Sequence, residues 1–230
     1  MSLETNFREV KSNIRDICDR LNKDPEEIKI VAISKTFPIS NILELSQLGH
    51  FDFGENRVRE LRDKYYNISF QHEVKLNWHM VGHLQSRKVK DIVAFISLIH
   101  SVDSLEIAEE IDKCAKKINQ KKDILVQINT SGEPQKFGAD PDSAGILCHR
   151  ISELENVRMK GLMTMAKLTD DKEEIRKCFR LLKHIYDEFS AEFHDFEYLS
   201  MGMTNDYQIA IEEGSNLLRL GSAIFGQRTE

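Results

Sequence analysis

Short apolar segments rich in β-branched residues recur along this chain, and a longer stretch follows nearly every one of them. The short segments read IKIVAIS (28–34), FDFG (51–54), LNWHMVG (76–82), SLIHSV (97–102), DILVQIN (123–129), NVRMKGLM (156–163), FEYLSM (196–201) and NLLRLG (216–221). They lack Pro and are nearly continuous in apolarity, as parallel strands buried on both faces are. Between them run amphipathic stretches such as 104–118 and 170–189. Parallel neighbours need crossover connections, so eight strands with intervening helices predict a (β/α)8 TIM-type barrel. An open doubly wound sheet is the alternative. It expects a glycine-rich turn after the first strand, whereas here the chain reads Ser34-Lys35-Thr36-Phe37-Pro38. Ahead of the first strand, Leu3, Phe7, Val10, Ile14, Ile17 and Leu21 repeat every three or four residues and predict an extra N-terminal helix, stopped by Asp24-Pro25. With 230 residues and no linker composition, residues 1–230 read as one domain.

Composition narrows the function. The net charge is −6 with scattered cations, which argues against nucleic-acid binding. The four cysteines form no CxxC pair and suit a reducing, cytoplasmic setting. No signal peptide or membrane-spanning run stands out.

In a barrel of this kind the active face is built from the C-terminal strand ends. Those ends are Lys35, Asn56, His79, Asn129, Met163, Ser200 and the run Arg219-Leu220-Gly221-Ser222. An amine at the exit of an apolar strand has a depressed pKa and attacks aldehydes, although a lysine there can also simply snorkel into solvent. Barrels often bind phosphate with the loops after strands 7 and 8, which here begin at Ser200-Met201-Gly202-Met203-Thr204 and Gly221-Ser222, and a helix starting near Thr204 would add its positive end. An aldehyde-reactive lysine facing a phosphate cradle describes pyridoxal 5′-phosphate. His79 and His83 are four apart but on a strand running into a loop, with no third ligand evident, so no metal is expected. Trp78 reads as core. Glu55 and Glu60 read as first-turn helix charges, and Lys136 as a solvated loop charge.

Val31–Thr36, Asp52–Asn56, Trp78–Ser86, Asn129–Glu133, Ser200–Thr204 and Arg219–Gly226 together resemble the pyridoxal phosphate homeostasis protein family, in the family's order and over about 28–228. The resemblance implies a barrel like the N-terminal domain of alanine racemase, with a Schiff base on Lys35. It implies phosphate contacts from Ser200, Gly221 and Ser222, a pyridine-nitrogen contact from Arg219, and Asn56 and His79 lining the cofactor. Thr204 stands where the family usually has Ser, and Arg87 where it has Asn. The implied role is binding, storage or delivery of pyridoxal 5′-phosphate without strong turnover and with no catalytic residue assigned. Apo forms of enzymes using that cofactor are the implied recipients, and a monomer is expected. A racemase using the same cofactor is the alternative. It is disfavoured because this chain ends at Glu230, right after the eighth strand, with no second domain to supply an opposite-face base. A phosphate-sugar enzyme with a Schiff-base lysine is a third reading.

Overall fold

The computed structural model describes residues 2–227; Arg228, where the resemblance ends, and Glu230 lie outside them. Eight parallel strands close into a barrel in sequence order. They are β1 (Lys29–Ile33), β2 (Asp52–Glu55), β3 (Asn77–Met80), β4 (Leu98–Val102), β5 (Lys122–Gln127), β6 (Val157–Met163), β7 (Tyr198–Ser200) and β8 (Leu217–Leu220). Every expected strand is present, with its ends shifted by at most two residues: most are shorter than the expected segments, while β2 runs one residue further, to Glu55, and β5 starts one residue earlier, at Lys122. The helices are α1 (Leu3–Leu21), α2 (Ile39–Gln47), α3 (Val58–Gln71), α4 (Leu105–Lys117), α5 (Ala144–Ser152), α6 (Lys172–Ser190), α7 (Tyr207–Glu212) and α8 (Ser222–Phe225). Only the β3–β4 crossover departs from the helical pattern. It uses a 3₁₀ segment, Ser86–Asp91, and still buries Val89, Ile92, Val93 and Ile96.

Strand alternation divides the apolar residues into two sets. The larger set lies between the barrel and its helices. The smaller fills the barrel and centres on Val31, Ile33, Leu98, Leu125, Met163 and Leu217. The inner layer is tight at Gly54: a Cβ there would come within 2.7 Å of Ile33 and 2.9 Å of Val31, so only glycine fits.

The N-terminal helix begins with Ser2, whose Oγ accepts from the Thr5 amide, and buries the expected apolar stripe. Its stop differs from the expectation. Asn22 takes the left-handed conformation (φ 52°) and its amide caps the last turn, so the helix is closed before Asp24-Pro25. The helix packs on α7 and α8. Asn6 donates to the Ile224 carbonyl in α8, bracing the segment that carries Gly221 and Ser222, and Lys23 donates to the Ile211 carbonyl in α7. Among the described residues no helix is long and apolar enough to cross a membrane.

Candidate functional site

The C-terminal end of the barrel gathers the expected residues. Lys35 follows β1, Ser200 ends β7, Arg219 lies in β8, and Gly221 and Ser222 lead into α8. The loops after β7 and β8 are bound to each other: Ala223 N–H donates to Thr204 Oγ1 (3.2 Å) and Arg219 N–H to the Gly202 carbonyl (3.0 Å). The helix expected from Thr204 begins only at Tyr207. Asp206 accepts from the Met203 amide (2.5 Å) and holds residues 203–206 as a turn, while Thr204 serves the neighbouring loop instead of capping a helix.

Behind this mouth runs a chain of hydrogen bonds inside the barrel. Arg219 Nη1 donates to Ser200 Oγ (2.6 Å), and its Nη2 donates to the Thr164 carbonyl (2.7 Å). Ser200 Oγ lies 3.5 Å from His100 Nδ1, His100 Nε2 lies 2.9 Å from His79 Nδ1, and His79 Nε2 lies 3.2 Å from Asp52. Arginine can only donate and an ionised carboxylate only accept, and a relay through imidazoles that each donate once and accept once points every proton from Arg219 towards Asp52. Burial drives the His100 pKa well below its ordinary value, with His79 and Arg219 adding to the effect. Partial burial alone would raise the Asp52 carboxyl; the hydrogen bonds from His79 and Asn77 outweigh it and leave that carboxyl below its usual range. Arg219 is only 4% exposed, and among the described residues no carboxylate stands within 4 Å of it. Burial pushes its pKa down to about 10, so it stays charged at neutral pH.

A second network lies outside the barrel wall, beneath α3. Lys64 Nζ donates to Glu55 Oε1 (2.7 Å), Glu60 Oε1 (2.8 Å) and the Ser34 carbonyl (2.7 Å). Ser34 Oγ also donates to Glu55 (2.7 Å), and the Thr36 amide to Glu60 (2.6 Å). Glu55 is therefore no helix charge: it ends β2, is fully buried, and burial raises its pKa despite Lys64. Glu60 does lie in the first turn of α3, but its carboxylate turns back to the Lys35 loop. Partial burial opposes its ionisation, and the bonds from Lys64 and Thr36 overcome that, lowering its pKa.

The remaining expected residues separate. His79 sits inside the barrel in the inner chain. His83 pairs with Asp103 (3.5 Å) and stacks on Phe137, so the two histidines do not converge. Among the described residues no group of three or more His, Cys, Asp or Glu is placed to hold a metal ion. The Asn56 carbonyl lies against Gly82, where a Cβ would come within 2.3 Å, so the β2 and β3 exits are pressed together. Asn129 organises its own loop, accepting from Ser131 and donating to the Glu133 and Lys136 carbonyls. Lys136 is not a solvated charge: it is paired with Glu133 and donates to the Ala166 carbonyl (2.8 Å). Trp78 is core, 2% exposed. Sequence reasoning passed over Lys64, His100 and Thr164. Two signals pointed to them: Lys64 interrupts the apolar stripe of α3, and His100 shares the inward register of Leu98.

Residues 6–229 match the family model described as the alanine racemase N-terminal domain. The pyridoxal phosphate homeostasis protein of Aquifex aeolicus is 37% identical over 95% of this chain and 95% of its own. PipY of Synechococcus elongatus, solved with PLP bound, superimposes with a TM-score of 0.80 at 30% identity, covering 93% of this chain and all of that one. An alanine racemase of Clostridium difficile shares the fold at 18% identity (TM-score 0.77), with 99% of this chain matched to 56% of that one.

Proposed function

The chain belongs to the pyridoxal phosphate homeostasis protein family, within the group sharing the alanine racemase N-terminal domain, and we propose that it binds pyridoxal 5′-phosphate at the barrel mouth and stores or delivers it without strong turnover. One observation carries this reading: a guanidinium sealed in the barrel that, among the described residues, has no carboxylate within 4 Å and feels only the more distant charge of Asp206. A buried cation is costly unless something electron-rich arrives to meet it. The cofactor fits, since it brings an aldehyde that condenses with an amine, a ring nitrogen that accepts a hydrogen bond, and a phosphate.

We assign the amine to Lys35, the ring-nitrogen contact to Arg219, and the phosphate contacts to Ser200, Gly221 and Ser222. Gly221 leaves room for an anion. A Cβ there would meet only Ile33, at 3.5 Å, so neither packing nor its φ of −110° requires glycine. The Ser200 hydroxyl accepts from Arg219 at 2.6 Å but has only a long 3.5 Å contact to His100 for its own proton, and a phosphate oxygen would outcompete that acceptor. Asn56 is assigned to the wall of the site, and His79 to its support through His100. Arg219 can only donate, so it keeps a ring nitrogen unprotonated and weakens the ring as an electron sink. This favours a carrier over a racemase. All four cysteines are free and buried, in keeping with a cytoplasmic monomer that serves apo enzymes.

Titration with pyridoxal 5′-phosphate and with pyridoxal tests the reading. The phosphate form binds at least about 100-fold more tightly, because without the anion buried donors stay unpaired. Borohydride then fixes a pyridoxyl group on Lys35, and Lys35→Ala loses it while remaining folded. Equal affinity for the two compounds, or an unmodified Lys35, refutes the assignment. Rapid multiple-turnover exchange of the alanine α-hydrogen in deuterated water would favour the racemase.

A further inference from the structure

We propose that Lys64 and Glu60 are positioning residues for Lys35: from outside the barrel wall they clamp the two peptide groups that flank it. The inference rests on the assignment of Lys35 as the cofactor's amine. Residue 35 lies between two peptide units. The carbonyl of the first, Ser34 C=O, accepts from Lys64 at 2.7 Å. The amide of the second, Thr36 N–H, donates to Glu60 at 2.6 Å. Lys64 and Glu60 are bound to each other at 2.8 Å, one helical turn apart on α3. Each flanking peptide is thus fixed by a charged side chain, and the two charges fix one another. Rotation of the backbone at Lys35 would break at least one of these bonds.

Three features mark this as more than an anchor for α3. The helix buries Leu61, Lys64 and Ile68 on one face, so the ammonium occupies the centre of an otherwise apolar stripe where leucine would hold the helix without burying charge. All three Lys64 donors are used, and one of the bonds goes to the backbone of the Lys35 turn. The turn itself is strained. Thr36 is a β-branched residue at φ 69°, a conformation that persists only where the surroundings enforce it. Glu55 completes the device by holding both Lys64 and Ser34 with Oε1, while its buried Oε2 has no partner. The fold retains an unsatisfied carboxylate oxygen here, and the other end of that carboxylate orders the Lys35 turn.

The test compares Glu60→Ala, Lys64→Met and Lys64→Arg with the wild type by three measurements. In the cofactor-free protein, amide hydrogen exchange at Thr36 becomes at least about tenfold faster in Glu60→Ala, as loss of the acceptor that protects this exposed amide requires. The rate at which added pyridoxal 5′-phosphate becomes fixed to Lys35 under borohydride falls at least about tenfold in Glu60→Ala and Lys64→Met, and its pH profile shifts. Lys64→Arg recovers part of that rate. Pyridoxamine 5′-phosphate has no aldehyde and reports only the phosphate and ring contacts; its affinity changes by less than about twofold, since the hydrogen bonds of Lys64 and Glu60 go to the Ser34–Thr36 turn and Glu55 and not to β7, β8 or their loops. Wild-type exchange and wild-type fixation rates in both loss variants overturn the clamp. So does an equal loss of pyridoxamine 5′-phosphate binding, which would mean general collapse of the site. If Lys64→Met does not fold, Glu60→Ala decides alone. If the wild type fixes nothing on Lys35, the functional reading fails, while exchange at Thr36 still judges the clamp.

Discussion

The two polar networks stand on opposite sides of one barrel wall and solve burial differently. The outer one, Glu55–Lys64–Glu60 with Ser34, gathers two carboxylates on one ammonium, and every Lys64 donor is matched. The inner one, from Asp52 through His79, His100 and Ser200 to Arg219, is made of neutral dipoles between two distant charges. Asp52 is 43% exposed on its side chain, so its charge is partly solvated, whereas Arg219 is sealed in with no carboxylate within 4 Å among the described residues. Burial of charge alone therefore does not distinguish a support from a binding site. Direct pairing does: in the outer network the cation touches two carboxylates, whereas among the described residues Arg219 in the inner one hydrogen-bonds only to neutral groups, so a ligand at the mouth can meet it.

The largest expected effect breaks the complete network. Lys64→Met strands two carboxylates, one of them fully buried, and should cost about 3–5 kcal/mol in urea unfolding of the cofactor-free protein. Arg219→Gln in the same experiment should cost no more than about 1 kcal/mol, because it removes a buried charge whose nearest counter-charge, Asp206, is not in contact with it. Equal losses would show that the two networks are not different in kind. The next effect belongs to the ligand. Arg219→Gln should weaken pyridoxal 5′-phosphate by about 1.5–3 kcal/mol, the range for hydrogen bonds to charged groups, seen as a roughly 10- to 100-fold rise in Kd by calorimetry. His100→Leu cuts the inner chain and leaves His79 Nδ1 unpaired, for a loss of about 1–2 kcal/mol in the cofactor-free protein. A variant as stable as the wild type would remove the chain from the account.

The smallest effects are in pH, and the two networks should respond with opposite signs. Burial raises the Glu55 pKa above 4.5, so the folded state binds the proton more tightly; the stability it contributes is present below pH 4.5 and is lost as pH rises through the folded value. Burial lowers the His100 pKa below 6.5, so its contribution is present above pH 6.5 and is lost as pH falls towards the folded value. Each slope is at most about 1.4 kcal/mol per pH unit. Glu55→Gln should flatten the loss on the alkaline side of pH 4.5 and His100→Leu the loss on the acid side of 6.5, read as unfolding midpoints across pH. If both variants flatten the same side, the pairing of networks with signs is wrong.

Much of this molecule was legible beforehand, for reasons particular to its elements. All eight strands announce themselves as apolar β-branched runs because both faces are buried, and α1 is readable to the residue because its stripe is unbroken. The exits of β1, β7 and β8 could be named because barrel geometry makes strand ends the mouth. Glu55 was misread as a helix charge because it stands just past an apolar strand run; Glu60 is the first-turn acid it was read as, and its pairing with Lys64, four residues on, was signalled only by the break Lys64 makes in the apolar stripe of α3. Thr204 was misread as a helix start because its partner, the Ala223 amide, lies nineteen residues away.

By itself the sequence determined the barrel, the order of its strands and the lysine at the exit of the first. Those properties follow from spacing within single elements, where a side chain's face is set by a period of two or of about 3.6 residues. Only the tertiary structure decided which polar residues became partners. His100 and Ser200 are 100 residues apart, and Arg219 meets the Thr164 carbonyl across 55. Their meeting depends on the closure and stagger of eight strands, and that register is a property of the whole barrel that no local pattern carries.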